Sequence, residues 1–178
     1  VGLDSQSKEE AATAIGNFSV AEGYYSTAVG TEARAKKEFD LAAGHDAIAS
    51  GGQSTAVGYR SKASGRASFA QGAYAVASGD ASISIGEYSS ATGKQSISVG
   101  KGNIVSGNNS AAIGNPSNIS GNNSYSLGNN NTIATDNTFV VGSGVTVNTA
   151  ANTVNGNVIL GNLSADKAYI QVSDGTIN

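Results

Sequence analysis

Glycine recurs at every fourteenth position along most of the chain. Gly2, Gly16, Gly30, Gly44, Gly58, Gly72, Gly86, Gly100, Gly114, Gly128 and Gly142 form an unbroken row of eleven. A second row stands half a period later, at Gly23, Gly51, Gly65, Gly79, Gly93, Gly107 and Gly121. The two rows hold 18 of the 24 glycines, which is too regular for a linker or a disordered glycine-rich tract. A fixed period this short specifies a solenoid, in which each repeat is one coil stacked on the last. Such a fold offers a long, stiff surface rather than a deep pocket.

Each half-repeat is a short run closed by glycine, as in Ser96-Ile97-Ser98-Val99-Gly100 and Asn103-Ile104-Val105-Ser106-Gly107. That length and alternation fit a very short β-strand followed by a turn. Glycine there supplies the positive φ that such turns often need. Two strands and two turns per coil make a flattened parallel roll. At a strand spacing of ~4.8 Å, eleven coils give a rod roughly 50 Å long.

Composition agrees with a thin coil. Trp, Met and Cys are absent, and aromatic residues make up only 6% of the chain. Without cysteine there is no disulfide framework, thiol catalysis or thiolate metal site. A net charge of −3 gives no electrostatic footprint for nucleic acid. No stretch is apolar enough to span a membrane as a helix. The chain starts in register at Val1-Gly2, without an initiating Met or signal peptide, and reads as a fragment of a longer protein.

Two columns of small or aliphatic residues are candidates for the roll interior. One, two positions before each main-row glycine, runs Ala14, Ala28, Ala42, Ala56, Ala70, Ser84, Ser98, Ala112 and Ser126. The other, five positions after it, runs Ala21, Ala35, Ala49, Ala63, Ala77 and Ala91, then Val105, Ile119, Ile133 and Val147. Alternation then sends the neighbours of the first column outward. Ile15, Val29, Val57, Ile85, Val99, Ile113, Leu127 and Val141 form one outer column, and Phe69, Ile83, Ile97 and Phe139 belong to another. An exposed apolar stripe of that size marks an interface, and cyclic self-association is the simplest way to cover it on every copy. The alternative left open by spacing alone is the reverse, with Ile and Val filling the roll.

These repeats resemble the YadA-like head of trimeric autotransporter adhesins. The resemblance rests on Ser54-Thr55-Ala56-Val57-Gly58, Ser82-Ile83-Ser84-Ile85-Gly86, Ser96-Ile97-Ser98-Val99-Gly100 and Ser110-Ala111-Ala112-Ile113-Gly114, and covers residues 1–147. It implies an all-β, left-handed parallel β-roll in a parallel homotrimer, on the bacterial cell surface. A stalk and an outer-membrane anchor would lie outside this sequence. It also implies a non-catalytic adhesin without cofactors. Its partners would be a host extracellular-matrix protein such as collagen, laminin or fibronectin, or a host-cell receptor. Multivalent display would raise avidity beyond one weak contact.

The pattern departs from the repeat in places. Lys37 and Thr135 replace second-row glycines, and Leu41-Ala42-Ala43-Gly44 and Phe69-Ala70-Gln71-Gly72 alter the motif. After Gly142 the spacing stretches, and the motif next closes at Val158-Ile159-Leu160-Gly161. Residues 148–178 are therefore expected to form an atypical terminal coil or cap. A last strand is expected over Ala168 to Val172, leading toward a neck or stalk.

Arg34, Lys36, Lys37, Arg60, Lys62 and Arg66 are six of the ten basic residues. They are the candidate ligand-binding patch for an acidic protein or glycan, against the plainer reading of a solvated face interspersed with Glu32, Glu38 and Asp40. Asn residues between Asn103 and Asn162 are expected in turns, with stacked Asn ladders a second possibility. His45, the sole histidine, lacks companions for a zinc site or a triad and reads as a turn residue. Other functional classes fit less well. A hexapeptide-type acyltransferase needs a shorter, six-position step, and an ice-binding face needs a regular Thr column, which Leu41, Phe69 and Ile83 interrupt. A phage-like or structural spike without adhesive role shares the architecture.

Overall fold

The computed structural model describes residues 1–148 and 157–162. Two parallel sheets of eleven strands each run the length of the molecule. Two-residue strands alternate along the chain with strands of three or four residues. The first sheet runs from β1 (Gln6–Ser7) to β21 (Thr146–Val147), and the second from β2 (Thr13–Ile15) to β22 (Asn157–Leu160). Each strand pairs with the one a coil earlier and the one a coil later, in the register of the glycine period, for example Phe69↔Ile83 and Val76↔Ser90. After the longer final step, β22 still adds to the second sheet, with Val140↔Ile159 paired. The strand expected over Ala168 to Val172 lies outside the described residues.

Inside and outside follow the small residues. Ala14, Ala28, Ala42, Ala56 and Ala70 are buried, as are Ala21 through Ala91 of the second column and then Val105, Ile119, Ile133 and Val147. The reverse arrangement, with the Ile and Val of the second sheet inside, does not occur: Ile15 is 46% exposed and Ile113 47%. Two further interior columns fill the corners: the one with Ser26 and Ser96 is mostly Ser, and the one with Ser19 and Ser89 mixes Ser with Ala, Asn and Val. Several of these hydroxyls satisfy turn backbone, whereas those of Ser68 and Ser82 are buried without a partner among the described residues. The Ser19 Oγ donates to the Gly16 carbonyl, and the Ser26 Oγ accepts from the Gly23 N–H. Burying a hydroxyl is tolerable when it is hydrogen-bonded in this way.

Both glycine rows lie where the next coil's backbone leaves no room for a Cβ, and the main row adds a positive φ. Main-row glycines sit at φ of +120° to +158°, in accord with the expected positive φ. Second-row glycines do not adopt positive φ. They are glycine because the next coil passes too close: a Cβ on Gly79 would lie 1.9 Å from the Gly93 carbonyl oxygen. The left-handed turn residues stand two positions after each glycine step and are mostly not glycine, including Phe18, Tyr25, Arg60, Ala67, Ala81 and Tyr88.

The Asn-rich half uses both expected mechanisms. Asn109, Asn123, Asn130 and Asn137 occupy left-handed positions at φ of 52° to 56°. Their neighbours build the ladders. Asn122 Oδ1 accepts from Asn108 N–H one coil away, Asn108 Oδ1 accepts from Lys94 N–H, and Asn129 Oδ1 accepts from Asn115 N–H. Each such side chain satisfies a turn N–H that the strand ladder does not reach.

Candidate functional site

Position within the coil decides where each candidate side chain points. Arg34, Lys36 and Lys62 are exposed on the outer face of the two-residue sheet. Arg34 and Lys62 share a column through Ile48, two coils and thus about 10 Å apart. None of the three forms an ion pair among the described residues, whose ion pairs are Lys8–Glu22, Asp46–Arg60 and Glu87–Lys101. The other three basic candidates lie elsewhere. Arg60 is on the rim that follows the main-row glycines, where it pairs with Asp46 at 3.3 Å and lies 5.2 Å from the centre of the Tyr59 ring. Lys37 and Arg66 stand at the opposite rim, in the turns that carry the second row. The six residues therefore form a core of three on one sheet, with outliers on both rims.

The Lys37 turn is held by a buried carboxylate that the sequence did not single out. Asp40 is 1% exposed and replaces the usual corner serine. Its oxygens accept from Lys37 N–H, Gly52 N–H, Ser54 N–H and Ser54 Oγ–H, at 2.8 to 3.0 Å. Asp40 thus ties two successive coils together where Lys37 departs from glycine. Gly52, at φ 84°, accommodates the Lys37 side chain, whose Cδ would stand 3.8 Å from a Cβ there. Asp40→Ala strands these donors in a tight corner. It is expected to destabilise the roll by about 2–4 kcal/mol, read as a lower midpoint in chemical denaturation. An unchanged midpoint would show that water replaces the carboxylate.

An aromatic ladder on the same rim as Arg60 also escaped the sequence reading. His45 and Tyr59 lie with ring centres 5.4 Å apart, Tyr59 meets Tyr74 edge-on at 5.3 Å, and Tyr74 stacks on Tyr88 at 4.9 Å. Hydrogen bonding to the Tyr74 side chain raises both the Tyr59 phenol and the Arg60 guanidinium above their ordinary pKa values. Further along the rim, the hydrogen bond from Lys101 to Glu87 raises the Lys101 ammonium. His45 is a turn residue, as expected, and its neighbour is Tyr59. On the opposite rim Tyr25 stacks on Phe39 at 5.4 Å. The sequence signal for both ladders is an aromatic residue repeated about one period further on, at turn sites where side chains of consecutive coils meet.

The outer face of the longer-stranded sheet is of a different kind. Ile15, Val29, Ile97, Ile113, Leu127 and Phe139 are exposed there, and Val57, Phe69, Ile83, Ile85, Val99 and Val141 are half-buried. Its few polar interruptions are Thr13, Thr27, Thr55 and Gln71 in the first half, and Tyr125 adds an apolar ring in the second. Among the described residues no cluster of His, Cys, Asp and Glu has the geometry of a metal site. No helix is long and apolar enough to cross a membrane.

A stacked roll of short, equal coils with small residues inside and an apolar outer sheet defines a class of repeat protein, the β-solenoid heads. The family described as the YadA head domain repeat matches residues 9–33, 35–61, 63–89 and 91–115, more than half of the chain, and the chain belongs to that family. Membership makes it a head of the adhesin type that trimeric autotransporters carry on the cell surface. No curated protein matches the chain.

Proposed function

We propose that three copies of this chain assemble in parallel through the outer face of the longer-stranded sheet. In that arrangement the two-residue sheet faces outward and docks on host extracellular matrix or a host-cell receptor. The observation that carries this reading is the contrast between the two outer faces. One presents Ile15, Val29, Ile97, Ile113, Leu127 and Phe139 to solvent in the single chain. The other is mixed, with Arg34, Lys36, Lys62 and Asn118 exposed, Val20, Ile48 and Val76 half-buried between them, and Ile104 its one exposed aliphatic side chain among the described residues. An apolar stripe of this length on a lone rod calls for a partner, and a three-fold axis covers one stripe per copy. The head is a binding domain without chemistry or cofactor, displayed on the bacterial surface. Solution mass by light scattering tests the assembly. Three times the 17.6 kDa of the chain supports it, and a monomer at micromolar concentration overturns it.

The outward basic core is the first candidate for ligand contact. Arg34 and Lys62 have no acidic partner within ion-pair distance among the described residues, so their charge is available to an acidic ligand. Double charge reversal, Arg34→Glu with Lys62→Glu, is expected to weaken binding to an acidic matrix protein or glycan at least tenfold. Far-ultraviolet circular dichroism should stay unchanged, because both side chains are exposed. Collagen, laminin and fibronectin in a solid-phase assay are the ligands to test. Equal binding by the variant would remove the patch from the function.

A further inference from the structure

We infer that the chain carries a binding site for neutral carbohydrate in an open cleft between the rim and the outer face of the two-residue sheet, over the three coils that begin at Gly100, Gly114 and Gly128. The cleft has a volume of about 320 Å³. That is at the small end of ligand sites, the size of one or two sugar rings. Gly102, Pro116 and Asn130 form its rim side, and Ile104, Asn118 and Thr132 its sheet side. Gly102 creates the opening, because the same rim position carries Tyr74 and Tyr88 in the two preceding coils.

The lining divides into a fixed floor and a free wall. Ser117 and Asn131, in the floor, are buried and committed. Asn131 Nδ2 donates to Ser126 Oγ and to the Gly142 carbonyl, its Oδ1 accepts from Val145 N–H, and Ser117 Oγ accepts from Asn131 N–H. The floor is thus preorganised. The side chains of Asn118, Asn130 and Thr132 are exposed and make no hydrogen bond among the described residues. Each amide offers donor and acceptor side by side, the pattern that vicinal hydroxyls match. Ile104, 48% exposed, and Pro116 supply apolar surface for the C–H face of a sugar ring.

Two observations select a neutral sugar over a charged ligand or a peptide. No ionisable side chain lines the cleft, and Asp136 is the single charged residue between Asn103 and Asn162. Lys101, next to Gly102 in sequence, is paired with Glu87 at 2.8 Å. One coil before Gly102 stands Tyr88, 53% exposed. Its ring is within 4° of parallel to Tyr74, which covers one face. Tyr88 stands one coil from Gly102 at the same turn position, next to the cleft but outside its lining, where its ring can meet a second sugar of a longer chain. The site is built from one subunit, lies off the exposed face of the longer-stranded sheet, and uses none of the basic core.

The test is NMR on the full chain, labelled with 15N, titrated with lacto-N-neotetraose, maltotetraose and chitotetraose. At least one of these neutral tetrasaccharides is expected to shift the side-chain amide resonances of Asn118 and Asn130 and to receive saturation transfer from the aromatic protons of Tyr88. Asn118→Ala with Asn130→Ala should weaken that binding about tenfold or more, two lost hydrogen-bonding groups at a few-fold each. Alanine can adopt the left-handed conformation of Asn130, as Ala67 and Ala81 do in the turns of the opposite rim. Tyr88→Ala should weaken tetrasaccharide binding while leaving the Asn118 shift in place. The inference is overturned if none of the three sugars shifts the amides. It is equally overturned if a heparin tetrasaccharide or a collagen-like peptide shifts them and the neutral sugars do not.

Discussion

Gly79→Ala is expected to break the roll, although it adds one methyl group at a residue with an ordinary backbone conformation. The added Cβ would stand 1.9 Å from the Gly93 carbonyl oxygen and 2.5 Å from its carbon. Both atoms are backbone, so no side chain can rotate away. Relief requires the two coils to separate, and they are joined at that corner by Ser78 N–H to the Ala91 carbonyl and its neighbours. A solenoid is stabilised by nearest-neighbour stacking, so a wedge between two coils divides one cooperative unit into two shorter ones. A loss of more than about 4 kcal/mol follows from overpacking combined with broken ladder bonds. The control is Gly102→Ala. That site has φ 70° and its nearest neighbour would be Pro116 Cβ at 3.5 Å. The cost there is the left-handed preference of glycine alone, about 1 kcal/mol. Guanidinium denaturation followed by circular dichroism separates the two. Similar midpoints for both variants would show that the coils can separate at this corner at little cost, and would overturn coil spacing as the reason for the second row.

The natural exceptions obey the same rule. Lys37 carries a Cβ at a second-row position, and the coil above it contains Gly51-Gly52, drawn onto the Asp40 carboxylate. Thr135 does so beside the point where the regular period gives way to the longer step from Gly142 to Gly161, and its hydroxyl is bonded to that of Thr138. Each substitution comes with a second change at the corner. Around Gly79 the corner residue is the usual Ser82, and no compensation is present.

The architecture was legible because stacking repeats each requirement in register. Ala56, Ala70 and Ser84 fall in one column, and a column of small residues has one physical cause, a narrow interior. The features that were missed depend on what a residue does within its corner. Ser26 and Ser54 look like surface residues in composition, yet they are interior because their hydroxyls bond to the Gly23 and Gly51 N–H groups. Asp40 reads as one more acid among basic neighbours, and only the approach of the next coil's N–H groups shows its role. The basic patch was grouped by sequence proximity. In so short a coil, a step of two positions is enough to move a side chain from rim to sheet, which is why Arg60 and Lys62 point to different surfaces. The His45–Tyr59–Tyr74–Tyr88 ladder was missed for the related reason that its rings come from two adjacent turn positions, and no single column contains all four.

Ile97→Glu combined with Ile113→Glu is expected to convert the assembly to monomers while leaving the roll intact. The two side chains lie in neighbouring columns of the longer-stranded sheet, one coil apart, and both point away from the interior. Neither contributes to the small-residue core, so the subunit fold has little reason to change. Three-fold symmetry places each substitution at the interface three times, which turns two changes per chain into six buried carboxylates. Ile97 and Ile113 are 37% and 47% exposed in the single chain, so covering each contributes roughly 1 kcal/mol, and each unpaired carboxylate in its place adds a desolvation cost of several kcal/mol. That sum exceeds what a parallel trimer of thin rods can lose. Light scattering should therefore report one chain in place of three, with an unchanged β-sheet spectrum. Ser50→Glu with Ser64→Glu, on the outer side of the opposite sheet, adds the same charge and should leave the mass unaltered. A trimer that survives the isoleucine changes would place the subunit contacts on the rims, and the aromatic pairs Tyr25–Phe39 and Tyr74–Tyr88 would then be the surfaces to mutate.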